Sequence, residues 1–254
     1  MIIYIFADLE GISGISGDAY VNGEFAAAGR QLMVEEINLC ASACFEAGAD
    51  RVIVRDGHGS GVNFSSSQLD SRIELVQGAT PGKRFFGLEG ASGLILLGYH
   101  AMAGTPGAIL EHTYSSKTIM NLYLNGRPVG EIGLDAAIAG EYGVPVILVS
   151  GDDKACREAE EWIPGVRTCC VKEGFGCNSG LLYRRDYTVK LLRETTLAAV
   201  RSVAEFKPLK TDYPATVRWD LCERCPVPVQ AGYEVLSGRS YQHTAETVEK
   251  AFLG

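Results

Sequence analysis

The reactive side chains of this chain stand where apolar runs stop. "MIIYIF" runs through Ala7 into Asp8 and Glu10. "RVIVRDGHG" (51–59) ends in Asp56 and His58, "GLILLGYHA" (93–101) in His100, and "VPVILVSGDD" (144–153) in Asp152 and Asp153. Of only four histidines, His58 and His100 occupy equivalent run-end positions, and His112 follows after the loop "AMAGTPGAILE". Carboxylate plus imidazole donors suit zinc and its first-row neighbours. Two such ions ~3.5–4 Å apart, sharing one carboxylate, form a common hydrolytic centre. Asp8 and Glu10 can supply one bridging and one terminal ligand. Glu131, opening "EIGLDAA", adds another carboxylate.

Taken singly, each group has an ordinary role: a D-x-E loop cap, a loop histidine, a half-buried histidine. Together they point to a centre, because one sheet edge would otherwise hold several uncompensated polar groups. Asp56, Asp152 and Asp153 read as caps or supports rather than ligands, with Asp56 placed to orient His58. His243, in "SYQHTAETVEK", is expected on the surface of a last helix and has no assigned role.

The elements that position these groups read as an α/β fold. Continuous apolar runs of this length indicate strands buried on both faces of a parallel sheet, whose carboxyl ends converge on one edge. Leu32, Met33, Ile37, Leu39, Ala43, Cys44 and Ala47 recur at helical spacing within 30–50, with Gly48 at the C-cap, which makes a βαβ unit. Further helices are expected over 131–143 and 152–163. A hairpin is expected over 118–131, turning at Asn125-Gly126. The last third changes character: a long amphipathic helix over 184–206, Pro-punctuated strand-like pieces over 214–236, and a short helix near 241–252. The reading is a mostly parallel central sheet flanked by helices, with a smaller C-terminal α+β lobe. The division falls near 175–183, giving 1–178 as the metal-binding catalytic domain and 179–254 as the lobe.

At 254 residues and 46% hydrophobic, the chain can bury a sizeable core. A net charge of -8 argues against nucleic acid and anionic membranes as partners. No apolar run reaches the ~18–20 residues of a membrane span. "MIIYIF" lacks the basic flank of a signal segment, so a cytoplasmic location is expected, with the eight cysteines as reduced thiols. Cys222 and Cys225 form a single C-x-x-C, read as two ordinary thiols for want of a second pair.

Five ordered motifs, "ADLEGISG", "DGHGS", "LGYHAMAGTPGAILEHTY", "NGRPVGEIGLDAAIAGEYG" and "VPVILVSGDD", resemble the D-aminopeptidases of the dipeptide-transport operon type, a cocatalytic zinc metallopeptidase family. The likeness runs from residue 1 to about 175. It implies that Asp8 bridges two zinc ions, that Glu10 and His58 complete one site, and that His100 and Glu131 complete the other. It implies His112 as the catalytic histidine, acting as nucleophile, general acid/base or stabiliser of the intermediate. It further implies short D-amino-acid peptides such as D-Ala-D-Ala as substrates, and a ring-shaped homo-oligomer, a decamer, with its sites facing an internal chamber. The segment between His100 and His112 is one residue longer than the family pattern, which makes Glu111 a second candidate beside His112.

Two other readings stand beside this one. A dinuclear phosphoesterase or amidohydrolase would use the same metals, but no basic clamp for a phosphate is evident beside the motifs, Arg51 and Arg55 being the nearest arginines. A nucleotide-binding module would need a phosphate loop, and "GHGSG" has neither G-x-G-x-x-G nor a G-K-[ST] ending.

Overall fold

The computed structural model describes every residue except 225, 227 and 229. The run after Met1 forms β1 (Ile2–Ala7), and the other apolar runs form β2 (Arg51–Asp56), β4 (Gly93–Tyr99) and β7 (Val146–Asp152). With β3 (Ile73–Val76), β8 (Arg167–Gly176) and β9 (Ser179–Leu182) they make a seven-stranded sheet in the order β3-β2-β1-β4-β7-β8-β9. All its pairings are parallel except β8 with β9.

Side chains of β1 alternate between two cores, which is why the run is continuously apolar. Ile3, Ile5 and Ala7 join Met33 and Ile37 of α2 (Ala26–Glu46) and Leu192 and Ala199 of α5 (Arg185–Arg201). Tyr4 and Phe6 join Leu134 and Ile138 of α3 (Glu131–Glu141) and, further out, Val217 and Trp219 of a second sheet. Burying each large apolar side chain contributes about 1.5–3 kcal/mol, so one central strand fixes both layers.

The second sheet is antiparallel. It contains β5 (Ile119–Leu124), β6 (Arg127–Pro128), β10 (Ala215–Leu221), β11 (Tyr233–Ser237) and β12 (Ser240–Ala245), in the order β11-β12-β10-β5-β6. The expected hairpin is β5–β6, and Asn125 and Gly126 both take positive φ, 50° and 81°, as a tight two-residue turn requires. The remaining helices are α1 (Asp18–Val21), α4 (Asp153–Trp162) and α6 (Val248–Leu253).

Two expectations are corrected. Residues 240–245 are strand rather than helix, because Tyr241, His243 and Ala245 register against Trp219, Val217 and Ala215 of β10; the final helix begins only at Val248. His243 therefore lies in β12, its ring stacked on Tyr233 at 4.5 Å. The long helix stops at Arg201, and Val203–Glu205 is a 3-10 turn. The glycine-rich stretch around Asn178 is the β8–β9 turn, with Asn178 at φ 56°.

Strand order reverses between β1 and β4: β2 and β3 extend one way, β7 and β8 the other. In open α/β sheets a crevice opens at such a switch point, beyond the carboxyl ends of the strands. Gly11 lets the chain leaving β1 cross the end of β4. A Cβ there would lie 1.9 Å from the Tyr99 carbonyl oxygen. The register shift in β4 between Leu96 and Tyr99, with Gly98 at φ 72°, re-aims the end of that strand next to the crevice.

Candidate metal centre

The switch-point crevice gathers Asp8 and Glu10 from the end of β1, His58 from the loop after β2, His100 from the end of β4 and Glu131 from the first turn of α3. All five are buried. His58 Nδ1 lies 3.2 Å from Asp8 Oδ1 and 3.0 Å from Glu10 Oε2. His100 Nε2 lies 3.4 Å from Asp8 Oδ2 and 3.2 Å from Glu131 Oε1. His112 stands beside them, half-buried. Its ring stacks on His100 at 3.8 Å, and its Nε2 is 3.8 Å from Glu131 Oε1.

Backbone carbonyls orient two of the rings. His100 Nδ1 meets Ala101 O at 3.0 Å and His112 Nδ1 meets Leu110 O at 3.0 Å. A carbonyl oxygen only accepts, so each Nδ1 donates its proton there and each Nε2 is left turned to the crevice. His100 Nε2 is buried, faces two carboxylate oxygens and has no hydrogen-bond partner among the described residues. As a lone pair, that nitrogen is repelled by two anionic oxygens unless a proton or a metal cation lies between them. Donor atoms of Asp8, Glu10 and His100, and those of His100, His112 and Glu131, lie within 4.8 Å of one another. These nitrogen and carboxylate donors fit zinc.

The electrostatics call for the same positive charge. Burial alone would raise the Asp8 carboxyl, but the His58 hydrogen bond and the nearby imidazoles hold it far below its ordinary value. Burial opposes charge on His58, yet Asp8 and Glu10 raise it to about 10. His100 is raised in the same way, against burial, by Glu131 and Asp8. Glu131 is lowered despite burial, chiefly by His100. The carboxylates demand cations, supplied as protons or as metal.

The surroundings hold these groups in place. Glu131 sits at the helix N-terminus, where the backbone dipole favours negative charge. The Tyr114 amide donates to its Oε1 at 2.8 Å, from a left-handed backbone at φ 57°. After Glu10 the chain is clamped by the buried Lys172, whose Nζ donates to the carbonyls of Glu10, Ile12 and Ile15 at 2.6, 2.9 and 2.8 Å. Asp56 does not touch the His58 ring. It accepts from the Asn63 amide and side chain, both at 2.7 Å, and Asn63 in turn donates to the His58 carbonyl. Asp56 thus shapes the loop and leaves the imidazole to Asp8 and Glu10, which corrects the expected support. Asp152 caps α4 through the amides of Lys154 and Ala155, and Asp153 accepts from Gly174 N. Glu111 accepts from Gly104 N, and it lines the cleft beside His112. Of the C-x-x-C pair, Cys222 is exposed and forms no disulfide among the described residues, and Cys225 lies outside them.

Arg84 was not legible as a site residue. Its Nε and Nη2 donate to Asp135 at 2.8 and 2.9 Å, and Nη2 lies 3.7 Å from Glu131 Oε2. Its guanidinium packs over Phe6 and Tyr114. The one signal for it is an arginine beside an aromatic pair in "KRFFG", which carries no spacing pattern.

An α/β fold with buried carboxylates and imidazoles gathered at its switch point defines a metallohydrolase-type centre. The comparisons name the class: the D-aminopeptidase family matches residues 1–252, and the chain belongs to that family, enzymes that hydrolyse peptide bonds. It is 38% identical over 215 residues to the D-aminopeptidase of Bacillus subtilis (strain 168), covering 82% of this chain and 77% of that protein. Its fold is similar to the solved structure of the Zn-dependent D-aminopeptidase DppA from Bacillus subtilis, described as a self-compartmentalizing protease. The TM-score is 0.92 and the identity 32%, over 99% of this chain and 94% of that one.

Proposed function

We propose that this protein is a dinuclear zinc aminopeptidase that removes N-terminal D-amino acids from short peptides such as D-Ala-D-Ala. The observation that carries the proposal is that Asp8 turns one oxygen to His58 and the other to His100, whose buried Nε2 has no hydrogen-bond partner among the described residues. Asp8 is then the shared ligand, Glu10 and His58 complete one zinc site, and His100 and Glu131 complete the other. When bound, zinc in such a centre lowers the pKa of a water toward ~7 and polarises the peptide carbonyl.

The chain's own groups do the rest. His112 holds its Nδ1 proton on Leu110 O, so its Nε2 is the atom that accepts or delivers a proton at the scissile bond. Stacking on His100 fixes the plane of that ring. The Tyr114 amide and Arg84 hold Glu131. Lys172 keeps the Glu10 loop closed.

The assembly we propose is a ring-shaped homo-oligomer, a decamer, with its sites facing an internal space. The relative's description as self-compartmentalizing supports it, as do exposed large apolar side chains at Phe86, Phe175 and Leu181. A cytoplasmic location is supported by the unpaired cysteines among the described residues. No described helix is long and apolar enough to cross a membrane.

The test is a stereochemical pair. Zinc-loaded protein is given D-Ala-D-Ala and L-Ala-L-Ala, with and without a chelator. Chelator-sensitive release of alanine from the D form alone is expected. Release from the L form at an equal rate would refute D-specificity.

A further inference from the structure

The last helix reaches the centre from outside the central sheet. α6 is fixed to α3, the helix that opens with Glu131. The Glu141 carboxylate, at the far end of α3, accepts from the Val248 and Glu249 amides. From there α6 sends two side chains toward the site. Glu249 Oε1 accepts from the Arg84 amide at 2.7 Å, and its Oε2 accepts from Tyr142 Oη at 2.6 Å. Phe252 packs its ring on that of Tyr114, with centroids 4.6 Å apart, and on Trp219 of β10 at 6.3 Å.

Both contacts lead to Glu131, one to each oxygen. The Tyr114 amide donates to Oε1 at 2.8 Å, and Arg84 Nη2 lies 3.7 Å from Oε2. The Tyr114 link depends on an unfavourable backbone. Its φ of 57° is left-handed, a region that a bulky L residue keeps only where its surroundings hold it there. The ring supplies that hold: it packs against Phe252 and the Arg84 guanidinium, and its Oη lies 3.4 Å from Asp135 Oδ1. Freed of Phe252, the backbone can relax and turn the amide away from the carboxylate. The Glu10–His58 side is held by other elements. Lys172 of β8 clamps the Glu10 loop, and Asn63 holds the His58 carbonyl.

Resting on the dinuclear zinc reading, we infer that α6 braces one half of the centre: Phe252 and Glu249 are positioning residues that hold Glu131, through Tyr114 and Arg84, for the ion it shares with His100. The C-terminal segment thereby acts on a centre to which it gives no ligand. Groups that orient a ligating side chain set metal affinity, and losing one weakens binding about tenfold to a hundredfold. Loss of the brace therefore falls on one ion of the two.

The experiment uses native, Phe252→Ala, Glu249→Ala and Phe252→Tyr proteins. Each is loaded with zinc and titrated with a chelator, and retained zinc is counted by elemental analysis. In the zinc-free proteins, hydrogen exchange of the Tyr114 amide is followed by NMR. Both alanine variants are expected to hold one ion about tenfold to a hundredfold more weakly and the other as the native protein does. Phe252→Ala also exchanges the Tyr114 amide faster, and Phe252→Tyr, which keeps the ring, restores both readouts. Loss of both ions together overturns the inference, because a general loosening of the fold would do that. Unchanged Tyr114 exchange in Phe252→Ala overturns it too. If Phe252→Ala does not fold, native affinity for both ions in Glu249→Ala overturns it. A native protein that holds fewer than two ions, with Tyr114 exchange faster in Phe252→Ala and restored in Phe252→Tyr, supports the brace and refutes the dinuclear reading. Two ions in the native protein with unchanged Tyr114 exchange does the reverse.

Discussion

Asp8 presents its two carboxylate oxygens to two different imidazoles, Oδ1 to His58 at 3.2 Å and Oδ2 to His100 at 3.4 Å. A single side chain at the end of the central strand thereby joins groups delivered by β2 and β4, the two neighbours of β1. That relationship follows from strand order, since only the strand at the switch point has a partner on each side whose end opens on the same crevice.

His112 separates a proton-transfer role from a ligand role. Nε2 of His112 lies near Glu131, but the ring also stacks on His100, and both positions suit a group beside the proposed metal centre. His112→Ala is expected to keep its zinc, counted by elemental analysis, and to lose about 10²–10⁴ in kcat. Loss of a zinc ion on the same substitution would make His112 a ligand.

Zinc removal should change how stability depends on pH. Without metal, His58 is raised from 6.5 to about 10. A raised imidazole contributes stability that is fully present below its unfolded value and is lost as pH rises through the folded one. Calorimetric melting of the zinc-free protein should therefore show Tm falling between pH 6.5 and 10. With zinc bound the ligands need no protons, and the two curves should diverge over that window. Parallel curves would contradict this. On the acid side the lowered Asp8 carboxyl acts oppositely: its stabilisation is present above the ordinary carboxylate value and disappears as pH falls below it.

Asp135 is fully buried and neutralises Arg84, and it also accepts from Tyr99 Oη at 2.7 Å. Asp135→Ala would leave the guanidinium only its 3.7 Å contact with Glu131, at a cost of about 3–5 kcal/mol. For a chain of this length the melting temperature should fall on the order of 10 °C. A shift within about 2 °C would show that Arg84 finds another partner or water.

The sequence shows the strands that carry the proposed ligands because each is buried on both faces and ends abruptly in a polar group. Asp8, Glu10, His58, His100 and Glu131 sit at element boundaries, where the side-chain pattern breaks visibly. What escapes a sequence reading depends on contacts between distant segments. Arg84 comes from a loop without periodicity and meets Asp135 across 51 residues. Lys172 lies in a strand, β8, whose neighbours include Arg167, Glu173 and several glycines, so it does not read as core, yet its ammonium is enclosed by three carbonyls of another loop. Residues 240–245 read as helix by local pattern, but their strand character is set by pairing with β10. Spacing alone directs Asp56 to the imidazole, whereas the neighbouring Asn63 amide lies closer to hand.

The sharing of Asp8 is tested most directly by counting zinc. Purified native protein, dialysed against metal-free buffer after zinc loading, should retain two ions per chain, and Asp8→Asn should retain fewer than one with the fold intact by circular dichroism. Replacing the shared carboxylate with an amide removes the charge that faces both sites. A native count of one, or two ions still held by Asp8→Asn, would contradict a dinuclear centre built on Asp8.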